Sequence, residues 1–391
     1  MTTFARSISG PICPVCAGVG RPLLTLPAQA IYQHPVPADA DVPPPYTIDL
    51  SWVACTDCAH AWQPEFDKTV LEQIYRSHYY TPAPAGIGVQ FQDDFLAALE
   101  RFGLIRPRQA LLEIGASAGD VLLDLKIRTG AARAFAFEPN KENAAVARQR
   151  GLDVRERFFG SDAVREGIDY ADFIYARHVI EHIFQFDDFF KGLNGVAAPT
   201  ADLVLETPSL DWHARQGSID PFHIEHVHVF SLRSLARVGM LHGWSLAQSE
   251  VTAEGNLIAS FKRGAAGIEI PPPILNGLQQ AVDSRRTYLQ NLLLGRKLII
   301  WGAGSSGVCL VSTLGREPEF WTDGNPNKIG KRFVGLKSQI VSPQYAFAQA
   351  KAKLGADPVL VVASSFMREI LPRARELGWD GEVLDLAGNR L

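Results

Sequence analysis

Apolar residues in the middle of the chain fall into short runs that end in glycine or an acid, the pattern of buried strands followed by tight turns and helices. Leu111-Leu-Glu-Ile-Gly115-Ala-Ser-Ala-Gly119-Asp120 leads into Val121-Leu-Leu-Asp-Leu, which reads as strand, turn, helix. Arg133-Ala-Phe-Ala-Phe-Glu138-Pro139 reads as a second strand. Asp172-Phe-Ile-Tyr-Ala-Arg177-His178 is a third, followed by a polar turn into a helix, and Leu203-Val-Leu-Glu-Thr-Pro208 is a fourth. Residues 90–100 have the period of an amphipathic helix ahead of the first strand. Beyond a Gly/Ala/Pro-rich link at 265–273 the pattern returns. A helix from Leu278 is predicted, then strands at Lys297–Trp301, Glu319–Asp323 and Pro358 onwards. The chain therefore predicts two α/β lobes in series.

Glycine at 115 and 119 lets the backbone turn sharply and approach a ligand, with a helix start aimed into the same crevice. Glu113 and Glu138 sharpen the pattern, because an acid at the end of the second strand can accept both ribose hydroxyls of an adenosine. The pair suits S-adenosylmethionine better than NAD. The three segments in this order resemble class I methyltransferases over roughly residues 90 to 262. In that reading Glu113, Gly115, Ala116, Gly119, Glu138, Pro139, Arg177 and His178 are the expected cofactor contacts. An acid for the adenine is not evident in Val154-Arg-Glu-Arg-Phe-Phe159, which leaves Phe158 or Phe159 to stack on it.

Composition narrows the classes. With 391 residues, 47% of them hydrophobic, the chain can bury several cores, and a net charge of −4 gives no attraction to nucleic acid or an anionic membrane. No apolar stretch approaches a membrane span and the N-terminus lacks a signal-peptide core, so a cytoplasmic protein is expected. Cys13-Pro-Val-Cys16 and Cys55-Thr-Asp-Cys58 bring four thiolates within reach of one tetrahedral zinc. All four positions are sulfur, which points to a structural ion. The intervening residues 17 to 50 show no core pattern, so the metal is expected to hold this lobe together.

After Pro208 a loop is expected, carrying His213, Arg215, Asp220, His223, Glu225, His226 and His228; four of the ten histidines fall within sixteen residues. Metal binding, a satisfied surface cluster and acid–base chemistry are all open for it. Tyrosines 75, 79 and 80 with His78 form an aromatic loop that either faces a ligand or packs the cysteine lobe on its neighbour.

The order of parts, with Asp323-Gly-Asn-Pro-Asn-Lys328 and Gly330 near the end, resembles the sugar C-methyltransferases of deoxysugar pathways over nearly the whole chain. The resemblance implies a zinc-binding lobe at 1–85, an S-adenosylmethionine-dependent core at 86–265 and a second Rossmann-like lobe at 266–391 that helps bind a nucleotide-sugar. It also implies methylation of a carbon beside a ketone; separately, a monomer is expected. His226 is the implied base, Glu225 its orienting partner or a sugar ligand, and His182 or Tyr80 the donor to the enolate oxygen. The chain departs from the family pattern in having Ile224 before Glu225, Val229 for a tyrosine, and Glu254-Gly-Asn-Leu for His-Gly-Gly-Ser. Three other classes fit parts of the sequence. They are an O-methyltransferase, an NAD-linked oxidoreductase using Gly302-Ala-Gly304-Ser-Ser-Gly307, and a non-catalytic adaptor built on the zinc lobe.

Overall fold

The computed structural model describes residues 12–42, 45–65, 89–168, 170–264, 270–273, 275–353, 355, 358–364 and 367–391. Three sheets organise these residues.

The N-terminal sheet is antiparallel, in the order β1-β2-β3-β9. It is formed by β1 (Gly20–Ala30), β2 (Thr47–Cys55), β3 (Ala61–Trp62) and a distant strand, β9 (His228–Val229). The expectation that 17–50 has no core is corrected here. Leu24, Leu26, Leu50 and Trp52 are buried against Phe222, Ile224 and Val227, and the alternation was obscured by bulges in the β1–β2 ladder after Pro22 and Leu26.

The central sheet runs β10-β11-β8-β7-β4-β5-β6. Its strands are β4 (Ala110–Ile114), β5 (Arg133–Phe137), β6 (Asp153–Arg155), β7 (Ala171–Arg177), β8 (Ala197–Pro208), β10 (Trp244–Val251) and β11 (Asn256–Arg263). The pairs among β4 to β8 are parallel, and β11 inserts antiparallel between β8 and β10. This is the class I methyltransferase arrangement that the sequence led us to expect. Helices α1 (Val89–Arg101), α2 (Asp120–Thr129), α3 (Lys141–Gln149), α4 (Phe186–Val196), α5 (Leu210–Gln216) and α6 (Leu232–Leu241) pack along it. α1 buries Phe95, Ala98 and Leu99, one stripe at helical spacing. Where a loop was expected after Pro208, α5 forms instead. The Ser209 hydroxyl caps it by accepting from the Trp212 N–H (3.3 Å), and Gly217 ends it in the left-handed region.

The C-terminal sheet is all parallel, β14-β13-β12-β15-β16, and follows α7 (Leu278–Leu293). It comprises β12 (Lys297–Trp301), β13 (Phe320–Thr322), β14 (Ile340–Val341), β15 (Pro358–Val362) and β16 (Glu382–Leu384), with α8 (Ser305–Leu314), α9 (Pro343–Lys353) and α10 (Met367–Glu376). The segment after β1 ties this lobe to the first: Val36 and Arg332 exchange backbone hydrogen bonds of 2.8 and 2.9 Å, and Ala30 enters the C-terminal core. Among the described residues no helix is long and apolar enough to cross a membrane.

Candidate active site

In the central sheet the chain departs from β4 to opposite sides, and the crevice lies beyond the carboxyl ends of β4, β5 and β7. The turn after β4 puts Gly115 at φ 78°, Ser117 at 49° and Gly119 at 80°. A side chain at Gly115 would also place its Cβ 2.5 Å from Val179 Cγ2, so glycine is needed there twice over. The Ala116 N–H donates to the Phe137 carbonyl (3.2 Å), which fixes the turn against β5. Gly119 caps α2, and no side chain accepts from the first turn of that helix.

Glu138, fully buried at the end of β5, accepts from the Ser117 N–H through Oε2 and from the Asn140 N–H through Oε1, both at 2.7 Å. Its pKa is raised by burial, against which these two bonds work. Glu113 is buried as well. Among the described residues its Oε2 has no hydrogen-bond partner of good geometry, and burial pushes its carboxyl up to about 8 despite attraction from Arg177 and the neighbouring Tyr175 hydroxyl. An orphaned buried oxygen, a carboxylate with spare lone pairs and an uncapped helix start are what an adenosine-bearing cofactor would satisfy. Pro139 is half-buried beside them. Of the two adenine candidates, Phe159 is in the core, edge-on to Phe137 at 5.0 Å, while Phe158 is exposed.

Arg177 and His178 end β7. The Arg177 Nε donates to Glu206 Oε2 (2.5 Å) and its guanidinium lies 4.7 Å from the Phe95 ring, so this side chain is committed to the protein. His178 sits in the left-handed region, φ 51°, with Nδ1 3.3 Å from Glu181 and Nε2 3.8 Å from Glu206. Burial lowers its pKa, but these two carboxylates outweigh it and the net shift is upward.

Next to this crevice the structure brings together His182, Glu225 and His226, far apart in sequence. His182 Nδ1–H donates to the Glu225 carbonyl (2.8 Å), His226 Nδ1–H donates to the Pro221 carbonyl (2.8 Å), and the two rings meet edge-on at 4.9 Å. Both imidazoles are therefore held as the tautomer whose lone pair is on Nε2. His226 is nearly buried, and burial together with His223 and His182 keeps it neutral. Burial raises the Glu225 carboxyl, but His34, His223 and His182 prevail and bring it down to about 2. Tyr80, and the aromatic loop around it, lies outside the described residues.

Residues 90–249 match a family model described as a methyltransferase domain. This part of the chain is a methyltransferase domain. A SAM-dependent methyltransferase from Aquifex aeolicus aligns at 17% identity over 51% of this chain and 100% of its own, with a TM-score of 0.37. DhpI in complex with SAH aligns at 24% identity over 46% and 89%, TM-score 0.35. The magnesium protoporphyrin IX methyltransferase from Synechocystis PCC 6803 aligns at 14% over 51% and 100%, TM-score 0.37. No curated protein matches the chain.

The N-terminal lobe, outside the matched segment, carries a cysteine cage. Cys13, Cys16, Cys55 and Cys58 bring their sulfurs within 4.8 Å of one another. The pairs Cys13–Cys58 and Cys16–Cys55 stand at 3.6 and 3.4 Å, near the ~3.8 Å edge of a tetrahedron with zinc–sulfur bonds of about 2.3 Å. The two knuckles match in backbone: Ala17 N–H donates to the Cys13 carbonyl and Ala59 N–H to the Cys55 carbonyl, each alanine in the left-handed region at φ 59° and 55°. Without a cation the thiols oppose one another. The Cys58 thiol draws Cys13 down to about 6, while Cys13 and burial push Cys58 far up.

Sequence reasoning missed one member of the histidine cluster around Glu225, His34, and gave no separate role to another, His223, that it had named in the polar stretch. His34 Nε2 lies 3.3 Å from Glu225 Oε1, and the His223 ring lies 3.8 Å from that of His226. His34 follows β1 in a segment whose partner is 191 positions away, so no local spacing could reveal it. Conversely, the dense histidine stretch is split. His228 pairs with buried His60 (3.0 Å) and the Ile183 carbonyl, and His213 is buried on α5. The C-terminal lobe closes on the same loop, where the Ser306 hydroxyl at the start of α8 donates to Asp220 (2.5 Å). In that lobe Asp323 accepts from the Ala303 and Asn325 N–H groups and from Lys328 Nζ (2.7, 2.8 and 3.1 Å).

Proposed function

We propose that the chain is an S-adenosylmethionine-dependent C-methyltransferase acting on a nucleotide-linked keto-deoxysugar. The observation that carries this reading is the paired imidazoles of His182 and His226. Each is fixed by a carbonyl at Nδ1, and both lie beside the crevice where Glu113, Gly115 and Glu138 would hold the cofactor. When bound, the cofactor supplies an electrophilic methyl group. A ketone acidifies the neighbouring C–H, His226 Nε2 takes that proton, and the enolate carbon becomes the nucleophile. Tyr80 donates to the developing enolate oxygen, or His182 does so in its imidazolium form, since its neutral tautomer has only a lone pair at Nε2, and Glu225 orients the sugar or the base. The nucleotide reaches the C-terminal lobe, which meets the catalytic loop where Ser306 bonds Asp220. The four cysteines hold a structural zinc that fixes β2 and β3, and through β9 the segment after His226.

In heavy water and without cofactor, the enzyme should exchange the acidic C–H of a 4-keto nucleotide-sugar. His226→Asn should lose exchange and methylation by about 10²–10⁴-fold. Exchange at the wild-type rate in that variant overturns the base assignment. Methyl transfer to oxygen favours an O-methyltransferase, and tight NAD binding in the C-terminal lobe favours an oxidoreductase.

A further inference from the structure

We propose that Gln63, a residue of the cysteine lobe, is a positioning residue for the reaction: its side-chain amide clamps the turn 223–226 and so holds the imidazole of His226 where a base must stand. The inference rests on the assignment of His226 as the base. Gln63 is buried, and its Nε2 lies 3.2, 3.3 and 2.6 Å from the carbonyl oxygens of His223, Ile224 and His226. All three partners can only accept, so the amide nitrogen, not its oxygen, faces them and donates. The turn is tight, with the His226 N–H donating to the His223 carbonyl (3.2 Å), and its oxygens converge on one interior point. Buried carbonyls are costly without a donor, so a single amide that serves all three holds the turn closed.

The clamp is itself braced by the fold of the lobe. Gln63 follows β3, whose Ala61 and Trp62 pair with Val229 and His228 of β9. Its backbone N–H extends that ladder by donating to the Val227 carbonyl (3.0 Å), so main chain and side chain both grip the segment 223–227. His60 adds a second brace. Burial keeps the His60 and His228 rings neutral. His228 Nε2–H donates to the Ile183 carbonyl (3.0 Å), which leaves Nδ1 as an acceptor and makes His60 Nε2–H the donor to it across 3.0 Å. The Cys55 N–H donates to the His60 carbonyl (2.8 Å), which ties this brace to the cysteine cage.

The consequence for chemistry is geometric. The His226 ring is oriented by its Nδ1–H bond to the Pro221 carbonyl (2.8 Å), a contact that requires the chain to fold back on itself. Opening the turn frees the ring to change rotamer and tautomer, and an error of about 1 Å in the placement of a catalytic group costs on the order of 10²-fold in rate.

Full-length, zinc-loaded protein is compared with Gln63→Met, which fills similar space but donates nothing. Nitrogen-15 NMR of the histidine rings should show His226 as a single Nδ1–H tautomer in the parent and as a mixture in the variant. The kcat for methyl transfer to a 4-keto nucleotide-sugar, and its cofactor-free solvent exchange, should both fall about 10–100-fold. Zinc content and S-adenosylhomocysteine affinity should stay at the parent's values. If Gln63→Met impairs folding, Gln63→Asn replaces it, because its amide stops one methylene short of the carbonyls. The parent alone gives a further readout, since the Gln63 side-chain amide protons should exchange slowly with solvent; exchange as fast as that of surface glutamines overturns the clamp. An unaltered His226 tautomer in the variant also overturns it. A changed tautomer with unchanged rates overturns the positioning role where His226→Asn loses exchange, whereas undiminished exchange in His226→Asn overturns the base assignment instead.

Discussion

Replacing Glu138 should separate two effects that a binding assay alone would merge. In the free protein its carboxylate already carries two charge-assisted bonds, from Ser117 and Asn140, each 2.7 Å long and in a fully buried position. Such a bond contributes about 1.5–3 kcal/mol, and water entering the space left by truncation recovers part of it. Glu138→Ala should therefore cost about 2–4 kcal/mol of stability with no ligand present. The glycine turn loses the acceptor that holds Ser117 at φ 49°, so its order is lost along with the proposed ribose contact. Cofactor affinity should fall by a further ~1.5–3 kcal/mol, about 10–100-fold. Urea unfolding of the free protein gives the first quantity, and calorimetric titration with S-adenosylhomocysteine at a temperature where both proteins are folded gives the second. A variant as stable as the parent would show that the two backbone bonds do not hold the turn. Unchanged affinity would place the adenosine elsewhere.

Four further outcomes are expected. Gly115→Ala should cost about 2–3 kcal/mol, combining left-handed strain with the 2.5 Å approach to Val179, and should weaken cofactor binding; unfolding and calorimetry check both. Ala17→Gly and Ala59→Gly should each stabilise by roughly 0.5–1 kcal/mol, because alanine is strained at φ 59° and 55°, and denaturation curves showing a loss would count against that strain. Metal analysis should find one zinc per chain, and Cys55→Ser should lose it together with stability of the N-terminal sheet. Burial raises the Glu113 pKa to about 8, above its unfolded value. The folded state therefore binds the extra proton, and stability falls as pH rises from about 4.5 to 8. Glu113→Gln should flatten that decline, gaining on the parent at pH 9 relative to pH 5, and parallel pH profiles would contradict it.

Local patterns in the chain were enough for the cysteine knuckles, the glycine turn, Glu138 and the alternation of strands and helices. Each depends on residues within about 25 positions of one another, where strand period, turn geometry and metal-ligand spacing act directly. The sheet order also follows from the run of βα units, because short crossovers leave few ways to lay parallel strands. The strands of the N-terminal lobe were less visible, since the bulges of β1 break the alternation that marks a strand.

Only the tertiary structure decided which polar residues meet. Glu225 and His226 follow one another, but what makes them a site is His182 from the end of β7, His34 from the segment after β1, and His223 folded back on His226. The same folding sent His228 away to His60 and turned Arg177 onto Glu206, although both stand in motifs that read as functional. A side chain's chemistry is set by the charges and carbonyls within a few ångströms. For a buried group those neighbours come from long-range strand pairing and lobe packing, which spacing along the chain does not encode.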